Sequence, residues 1–500
     1  MNEKLNEALD HIGDVHLLES IKPKRRRSYW VAAIAAILAL VMFLVPLLGI
    51  GNGHNQHNLQ VPVITRPSQP PVPDPTGIHD PNALPLANLL SAPQYPQMVT
   101  CPRMEDYPDY KDYNAAYTIW QQSQNAQYDQ PQGYADNLTD FFQESIHQFL
   151  NAEENSAYSP LNVYMALAML AETTGGNSRQ QILDALGADS IQALREQASH
   201  VWNAHYSDDS VTSLLLGNSL WLDEAYSFHQ DTVDRLASNY YASSFWGDLG
   251  TPSMNQQLQT WLDANTGGLL QEQAKQVQLD PDTVFALATT VYFAAGWTTK
   301  FYEQNNQEMV FHSAAGDLTT TFMRQTFLGY TYYWGDNFGA IQLELSGENA
   351  MWLILPDEGY TVTDILESDD YLRLTMDPAG WLKKSNLIVR LSLPKFDVTS
   401  NISLKQGLQA MGITDVFQPS ISDFTPLTDT PDLFVSDATH AARVVIDEEG
   451  CVAAAFTVII CGATGAPNYK EIDFTLDRPF LFVVSSRDHL PLFVGTVAQP

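Results

Sequence analysis

The sequence predicts an α+β protein, with helices in the first part of its main folded region and strands in the second. In "NLTDFFQESIHQFLNA" the apolar residues recur with the 3.6-residue period of a helix. In "NLIVRLSLPKF" they alternate with other residues at the two-residue period of a strand. A run of helices followed by strands is typical of α+β domains. We therefore expect N-terminal helices and large antiparallel or mixed β-sheets.

Three helices are predicted in succession. The first carries one apolar face, formed by Leu138, Phe141, Phe142, Ile146, Phe149 and Leu150. The second begins where Ser159 caps the helix and Pro160 takes its first position, and it ends before Gly175-Gly176. The third, "RQQILDAL", is predicted to be capped by Ser178 and ended by Gly187.

The later part of the chain is predicted to form strands. "AIQLEL" and "MWLILP" are short apolar runs typical of buried strands. In "NLIVRLSLPKF", one face is predicted to carry Leu387, Val389, Leu391 and Leu393, and the other Ile388, Arg390 and Ser392. No internal repeat interrupts this organisation.

The net charge and the absence of known catalytic motifs argue against nucleic-acid binding and enzymatic activity. The 500-residue chain has a net charge of −33, and a nucleic-acid partner is not expected because phosphate backbones are bound by clustered Lys and Arg. The sequence contains no G-x-x-x-x-G-K-[ST], H-E-x-x-H, G-x-S-x-G or C-x-x-C motif. We therefore expect a protein that is not an enzyme, uses no cofactor or metal, and acts by binding or by changing shape.

An apolar segment near the N-terminus predicts a membrane anchor. Residues 29–50 are uncharged, and about 20 apolar residues suffice to cross a bilayer. The basic run "KPKRRR" precedes this span, so residues 1–28 are predicted to be cytoplasmic and the rest of the chain to lie outside. The alternative is a secretory signal cleaved near Gly49-Ile50-Gly51. Both interpretations export the main domain.

Residues 51–135 are predicted to form a linker before a domain at 136–500. The first part, including "VPVITRPSQPPVPDPTGIHDP", is proline-rich and favours an extended, semi-rigid spacer. The second part contains five aromatic residues that could form an adhesive surface or pack onto the adjacent domain: Tyr107, Tyr110, Tyr113, Tyr117 and Trp120.

The stretch "EEGCVAAAFTVIICGATGAP" is unusual for a segment close to the C-terminus. No charge interrupts it from Gly450 to Pro467, and such sequences are prone to pair as strands. It is either a useful exposed strand or a buried one. The three cysteines of the chain do not make a disulfide framework. Two of them, Cys451 and Cys461, could pair reversibly, although two free thiols are the simpler interpretation.

Five motifs in order resemble those of the serpin family over residues 136–500. "NSAYSPLNVYMALAMLAETTGGNSRQQIL" resembles the N-x-x-x-S-P-x-S-x-x-x-A-L-x-M signature, and "DPDTVFALATTVYFAAGWTTKF" resembles the strand ending in F-x-x-x-W-x-x-x-F. "LPKF", "THAARVVIDEEG" and "DRPFLFVVSSRDHLPLFVGTVAQP" follow in serpin order. The resemblance does not explain the membrane span or the linker, which are additions to it. The bacterial look of the anchor separately suggests a membrane-anchored bacterial member of the family.

The resemblance implies a role for the unusual stretch. It would be the reactive-centre loop, which a protease cleaves and which then inserts into the main sheet. The scissile bond would join Thr464 to Gly465, or would lie elsewhere in the window from about Ala463 to Asn468. The hinge would comprise Glu448, Glu449, Gly450, Cys451, Ala453, Ala454, Ala455 and Thr457. The shutter, a hydrogen-bonded site beneath the sheet, would include Asn155, Ser159 and His440. The breach, where the loop enters the sheet, would include Trp297.

Several positions depart from the family pattern. In the loop, Cys451 replaces the usual Ser or Thr, Val452 the usual Glu, and Phe456 a usual small residue. In the shutter, Asn162 replaces a serine and Thr289 an asparagine. The small hinge alanines nevertheless match inhibitory members, so the resemblance implies that the loop can insert.

The expected function is irreversible inhibition of extracellular serine proteases. Small, uncharged residues around Thr464 suit an elastase-like specificity pocket. A heparin-like activator is not expected, because the segment "ADSIQALREQASHVW" carries no basic stripe. We expect a monomer on the outer face of a cell membrane, in the envelope of a Gram-positive bacterium. The alternative is a non-inhibitory serpin-like module for surface binding or adhesion.

Overall fold

The structure is a computed structural model that describes residues 88–451, except 94 and 97, and residues 469–500. All of these residues belong to one compact unit, Pro71–Pro500. The predicted membrane segment 29–50, the linker as far as residue 87 and most of the predicted loop, 452–468, lie outside the described residues.

The helices of the described chain concentrate before residue 275 and are mostly short. In chain order they are α1 (Tyr110–Tyr128), α2 (Leu138–Phe149), α3 (Pro160–Thr173), α4 (Gly176–Ala185), α5 (Ile191–His205), α6 (Gln230–Asn239), α7 (Pro252–Asn265), α8 (Gln271–Ala274), α9 (Val362–Leu366), α10 (Asp370–Met376) and α11 (Lys405–Ala410). Among these, α3 is buried along nearly its whole length and contacts α2, α4, α5 and α6.

Strands occur along the whole described chain, with the densest run after residue 285. They are β1 (Leu89–Ser91), β2 (Ser156–Tyr158), β3 (Ser207–Asp208), β4 (Thr212–Asp223), β5 (Ala242–Gly247), β6 (Phe285–Gly296), β7 (Gln307–Ser313), β8 (Gly316–Trp334), β9 (Phe338–Glu344), β10 (Ala350–Pro356), β11 (Lys384–Pro394), β12 (Phe396–Ser403), β13 (Thr439–Ile446), β14 (Gly450–Cys451), β15 (Glu471–Thr475), β16 (Phe480–Ser485) and β17 (Pro491–Val497).

Two large sheets organise the described strands. The first has the order β1-β5-β4-β6-β14-β13-β12, with β3 paired to β4. The second has the order β15-β11-β8-β9-β10-β16-β17-β2, with β7 paired to β8. Most pairs are antiparallel, while β4–β5 and β11–β15 are parallel. The expected α+β class, with large antiparallel and mixed sheets, is confirmed.

One main hydrophobic core joins the helices to both sheets. It contains the apolar face predicted for α2 and nearly all of α3. A smaller core packs α7 against the outer strands of the first sheet, around Trp221 and Trp261. Because α3 touches β6 and β17, it fixes the first sheet relative to the second.

The predicted start of α3 is confirmed, whereas the predicted cap of α4 needs a correction. Ser159 caps α3 by accepting a hydrogen bond from the Asn162 backbone N–H, and Pro160 is its first residue. For α4, however, the prediction that Ser178 is the cap is wrong. The helix begins at Gly176, and the Ser178 hydroxyl instead accepts a hydrogen bond from the Asp423 backbone N–H. A contact distant in sequence has displaced the local cap.

The three predicted strands are confirmed, but the sequence did not predict a strand that is buried along nearly its whole length. The runs "AIQLEL", "MWLILP" and "NLIVRLSLPKF" fall in β9, β10 and β11. Long β4, by contrast, is buried along almost all of its length, so it lacks the alternation by which strands are recognised in a sequence. It lies in the first half of the domain, so strands are not confined to the second half.

Residues 88–135, which we call the N-terminal extension, are folded onto the rest of the unit. Strand β1 pairs with β5 at the edge of the first sheet, and α1 follows after a short irregular segment. No helix between residues 88 and 451 or after 468 is both long and apolar enough to cross a bilayer. The contacts of α1 favour packing onto the adjacent domain for part of the tyrosine-rich segment.

Candidate functional site

The first residues of the predicted loop already belong to a sheet. In β14, Gly450 is paired with Gly296 of β6, and Cys451 is paired with Ala295 of β6 and Ile446 of β13. Both pairings are antiparallel. The first described residues of the predicted hinge therefore lie between two long strands of the first sheet.

Strands β6 and β13 have no ladder of hydrogen bonds with each other within the described residues. Within the described residues they are neighbours only through Gly450 and Cys451 of β14. Backbone groups at a strand edge require partners. The described strands leave one strand position between β6 and β13, and Gly450 and Cys451 occupy its start.

Close backbone approach explains the glycine at position 450. A Cβ atom at this position would lie 2.3 Å from the carbonyl oxygen of Ala295 and 2.8 Å from the Cα atom of Gly296. Both are backbone atoms, so a flexible side chain could not move away to make room. Only glycine lets the hinge approach β6 this closely.

The side chain after this glycine points into the core. Cys451 is 2% exposed, belongs to the main hydrophobic core and is a free thiol. Burial raises the pKa of this thiol above its ordinary value, so it is protonated and unreactive while the hinge is paired. In an extended strand, residues two apart share a face, so Ala453, Ala455 and Thr457 would follow Cys451 into the core if the strand continued.

Trp297 fixes the chain just before the hinge. Its backbone N–H donates to the Glu449 carbonyl at 3.0 Å, and its indole Nε1 donates to the Asp447 carbonyl at 2.8 Å. Trp297 also bridges to Leu345. The tryptophan thus holds the turn that leads into β14. Its role in the breach stays a prediction.

Two glutamates of the predicted hinge form ion pairs beside this tryptophan. Glu448 is 7% exposed, and its carboxylate lies 2.5 Å from the Lys395 ammonium and accepts a hydrogen bond from Asn306. Burial alone would raise the pKa of Glu448, but the hydrogen bonds from Lys395 and Asn306 outweigh it and lower the pKa. The more exposed Glu449 pairs with Lys300 at 2.9 Å. These pairs anchor both sides of the turn.

Below the first sheet, the start of α3 contacts β13. The backbone N–H of Ser159 donates to Nε2 of His440 at 3.0 Å, and both residues are buried. The structure therefore brings together two of the predicted shutter residues. It places Asn155 elsewhere, because the side chain of Asn155 bonds to the backbone of Ala498 and Gln499 at the C-terminus.

The same end of α3 also contacts β6, through a pair that was seen in the sequence only as two departures from the family pattern. The Thr289 hydroxyl of β6 donates to the Asn162 side-chain carbonyl at 3.1 Å. Asn162 and Thr289 therefore replace the family's residues together and keep a hydrogen bond between helix and strand. One helix end is bonded to both of the strands that flank β14.

The environment of His440 suppresses its protonation. Burial lowers the pKa of His440 from 6.5 to about 4. The neutral ring can accept the Ser159 hydrogen bond at Nε2, whereas an imidazolium could not, and Tyr158 packs edge-on at 5.3 Å between ring centroids. The contact between α3 and β13 thus depends on an uncharged histidine.

The remaining predicted site residues cannot be placed. Ala453, Ala454, Ala455 and Thr457 of the hinge, and Thr464 and Gly465 of the scissile bond, lie outside the described residues. In the part of the chain that is described, no three His, Cys, Asp or Glu side chains are grouped to hold a metal ion. The described site consists of the facing edges of β6 and β13, the two residues of β14 between them, and the buried contacts around these strands.

Comparison with known proteins identifies this arrangement. Residues 136–500 match the sequence profile of the family described as "Serpin (serine protease inhibitor)". The chain belongs to the serpin family. The match begins where the domain was predicted to begin, after the N-terminal extension.

Individual serpins show similarity over most of their own length. The chain is 29% identical to the plasma serine protease inhibitor of Mus musculus over 357 residues, which cover 69% of this chain and 85% of that protein. It is 28% identical to plasminogen activator inhibitor 1 of Bos taurus, with 74% and 94% covered. Among solved structures, native tengpin, a thermophilic serpin, has a TM-score of 0.65 at 27% identity, with 74% of this chain and 95% of tengpin covered. The serpin fold expected from the sequence is confirmed.

Replacing Gly450 with alanine should weaken the pairing of the hinge. The added Cβ would collide with the backbone of β6, so β14 should separate from the sheet more often. We expect amide hydrogen exchange in a peptide that contains Gly450 and Cys451 to become on the order of tenfold faster. The Thr439→Ala change, at an exposed position of β13, serves as the control. Unchanged exchange in the alanine variant would show that close approach at residue 450 does not hold the hinge.

Acid should destabilise the serpin domain through His440. Because the folded-state pKa lies below the unfolded value of 6.5, the unfolded chain takes up the proton first, and stability falls as the pH drops from about 6.5 to about 4. The loss could reach about 3 kcal/mol. The His440→Gln variant, which keeps a neutral acceptor, should lose less stability in urea unfolding between pH 7 and pH 4.5.

Exposed His147 provides the matched control for this measurement. The His147→Gln protein should keep the full pH dependence of the unmodified chain. If the free energy of unfolding fell equally between pH 7 and pH 4.5 in the His440 and His147 variants, His440 would not be the source of the acid sensitivity.

Proposed function

We propose that this serpin irreversibly inhibits extracellular serine proteases of the elastase type. The observation that carries the proposal is the pairing of Gly450 and Cys451 between β6 and β13. The chain thus presents a strand position, and the first residues of its loop fit into that position. This geometry supports a loop that can become a strand.

The mechanism begins with an ordinary proteolytic attack. The protease serine oxygen attacks the carbonyl carbon of Thr464, the bond from that carbon to the Gly465 nitrogen breaks, and the new amine leaves with a proton. The protease is now joined to Thr464 by an ester. Insertion of the loop between β6 and β13 then carries the protease along, distorts its oxyanion hole and prevents hydrolysis of the ester.

The composition of the loop supports insertion. Residues 450–467 contain no charge, and burying an unpaired charge in the sheet would cost several kcal/mol. The position of Cys451 in the core indicates which alternate residues would face inward: Ala453, Ala455, Thr457, Ile459 and Cys461. The alanines among them need little space. Inward residues of this kind favour inhibition over the alternative role as a surface-binding module.

The anchor segment supports a place for the inhibitor on the cell surface. We place residues 1–28 in the cytoplasm, residues 29–50 in the membrane and the serpin domain outside, as the basic run before the apolar segment indicates. A bacterial envelope and a monomeric state belong to the same proposal. An inhibitor held there would act on proteases that reach the cell from outside.

A charge placed in the inserted part of the loop should convert the inhibitor into a substrate. In the Thr457→Arg variant, a guanidinium would have to enter the sheet core, so insertion should be too slow to trap the acyl-enzyme. We expect the exported domain to form an SDS-stable complex with a pancreatic elastase and the variant to be cleaved with at least a tenfold loss of complex.

The Asn468→Arg variant is the matched control, because it adds the same charge beyond the scissile bond. It should keep the stoichiometry of the unmodified protein. If the Thr457→Arg protein trapped elastase as efficiently as the control, loop insertion would not be the mechanism. Failure of all three proteins to form a complex would favour the binding-module alternative.

The cleavage position tests the specificity. Mass spectrometry of the fragment released from an elastase complex should place the cut after Thr464, within about two residues. Every residue of "CGATGAP" is uncharged, and small side chains suit a shallow apolar pocket better than one lined by a carboxylate. Rapid trapping of trypsin, with a cut after Lys470, would instead assign the protein to trypsin-like targets.

A further inference from the structure

The N-terminal extension lies before the region that matches the serpin family, yet two sets of contacts attach its helix α1 to the serpin domain. None of the residues of α1 is fully buried, but one face of the helix, which includes Trp120 and Tyr128, is half-buried. These contacts lead to opposite sides of one short segment, the 3-10 turn Ser346–Glu348, which we call the 346–348 turn.

The first set of contacts reaches the start of β4. Trp120 of α1 donates its indole N–H to the carboxylate of Asp209 at 2.9 Å. Asp209 is 3% exposed and also accepts hydrogen bonds from the backbone N–H groups of Val211 and Thr212. Gln127 adds a hydrogen bond to the carbonyl of Tyr206, just before β3. Together these contacts fix the turn between β3 and β4.

That turn is joined to the 346–348 turn and to the hinge. The Ser346 hydroxyl donates to the Val211 carbonyl at 2.8 Å and accepts from the Gly296 backbone N–H at 3.1 Å. Gly296 is the residue of β6 that pairs with Gly450. Trp120 is therefore connected to the paired hinge through a short series of hydrogen bonds that are mostly half-buried.

The second set of contacts reaches the hairpin between β16 and β17. The Arg487 guanidinium lies 3.9 Å from the ring centroid of Tyr128, which is the last residue of α1. Tyr134 donates its hydroxyl to the carboxylate of Asp488 at 2.7 Å. Arg487 also pairs with Glu348 at 3.2 Å. The other end of the 346–348 turn is thus linked to the same helix.

We propose that α1 is a bracket that holds the 346–348 turn in the position that keeps the hinge paired with β6. Trp120 and Tyr128 are its positioning residues, one for each end. The contacts of the bracket coexist in this structure with a paired hinge, so loosening them should favour the unpaired hinge. Because a loop that starts paired inserts sooner, the bracket would make trapping more efficient, a consequence that rests on the proposed function.

The accessibility of the Cys451 thiol reports whether the hinge is paired with the sheet, and no protease is needed to measure it. It is buried while β14 is paired and becomes accessible to N-ethylmaleimide when the hinge leaves the sheet. Alkylation is followed by mass spectrometry of the peptide that contains Cys451. The Trp120→Phe/Gln127→Ala protein loses one end of the bracket, and the Tyr128→Leu/Tyr134→Phe protein loses the other. Each should be alkylated at Cys451 on the order of tenfold faster.

The combination of both pairs distinguishes a bracket from two independent stabilising contacts. A helix released at one end no longer constrains the turn, so the quadruple variant should be alkylated at about the same rate as either double variant. Independent contacts would instead multiply their effects. The Ile119→Ala change, on an exposed face of α1, should leave the rate unchanged.

The same variants separate the bracket from the proposed function. If elastase is trapped, each double variant should show more cleaved and less trapped serpin. If no protease is trapped, faster alkylation at Cys451 still supports the bracket. Rates that equal that of the unmodified protein, or effects of the two ends that multiply, would overturn it.

Discussion

The structure depends on the separation of β6 and β13, two long strands that are joined in the described residues only through the two residues of β14. Backbone edges facing each other across one strand position require a strand between them. The N-terminal end of α3 is bonded to both strands, to β13 through Ser159 and His440 and to β6 through Asn162 and Thr289. A single helix end therefore contacts both sides of the insertion position, and both contacts use small, neutral polar groups.

This constraint explains the chemistry of the segment that follows. A segment that becomes a central strand must carry no charge, must begin with a residue that can approach β6 closely, and must place small side chains toward the core. Gly450 satisfies the second condition by its contact with the backbone of Ala295 and Gly296. The charged residues end just before it, where Lys395 and Lys300 pair with Glu448 and Glu449. The change from ion pairs to apolar packing coincides with the first paired residue.

Local patterns in the sequence predicted the helices and strands that are stabilised by residues close to them in the sequence. The apolar face of α2 and the Ser159-Pro160 start of α3 follow from periodicity and capping, which depend on residues within a turn or two. The failure at Ser178 has the opposite cause, because its partner Asp423 is 245 residues away. Resemblance to the family supplied Trp297 and His440, but it did not show that Asn162 and Thr289 are partners. Paired replacements become visible only when both residues are placed in space.

The N-terminal extension was the hardest part to predict. Its helix has no fully buried residue, and its half-buried face mixes Tyr113, Tyr117 and Trp120 with polar residues. The attachments of the extension are single indole, amide and phenol groups that bond to distant turns. Composition left two roles open for the aromatic residues, packing onto the domain or adhesion. Nothing in the spacing of these residues points to Asp209 or Arg487, whose positions depend on the folded hairpins that carry them.

The comparison of thermal unfolding before and after loop cleavage tests the central claim most directly. A protease that cleaves near Thr464 without being trapped would release the loop, which could then form a full strand between β6 and β13. The added hydrogen bonds and buried side chains should raise the unfolding temperature by on the order of 10 °C or more. Equal unfolding temperatures for the intact and the cleaved protein would contradict an inserting loop.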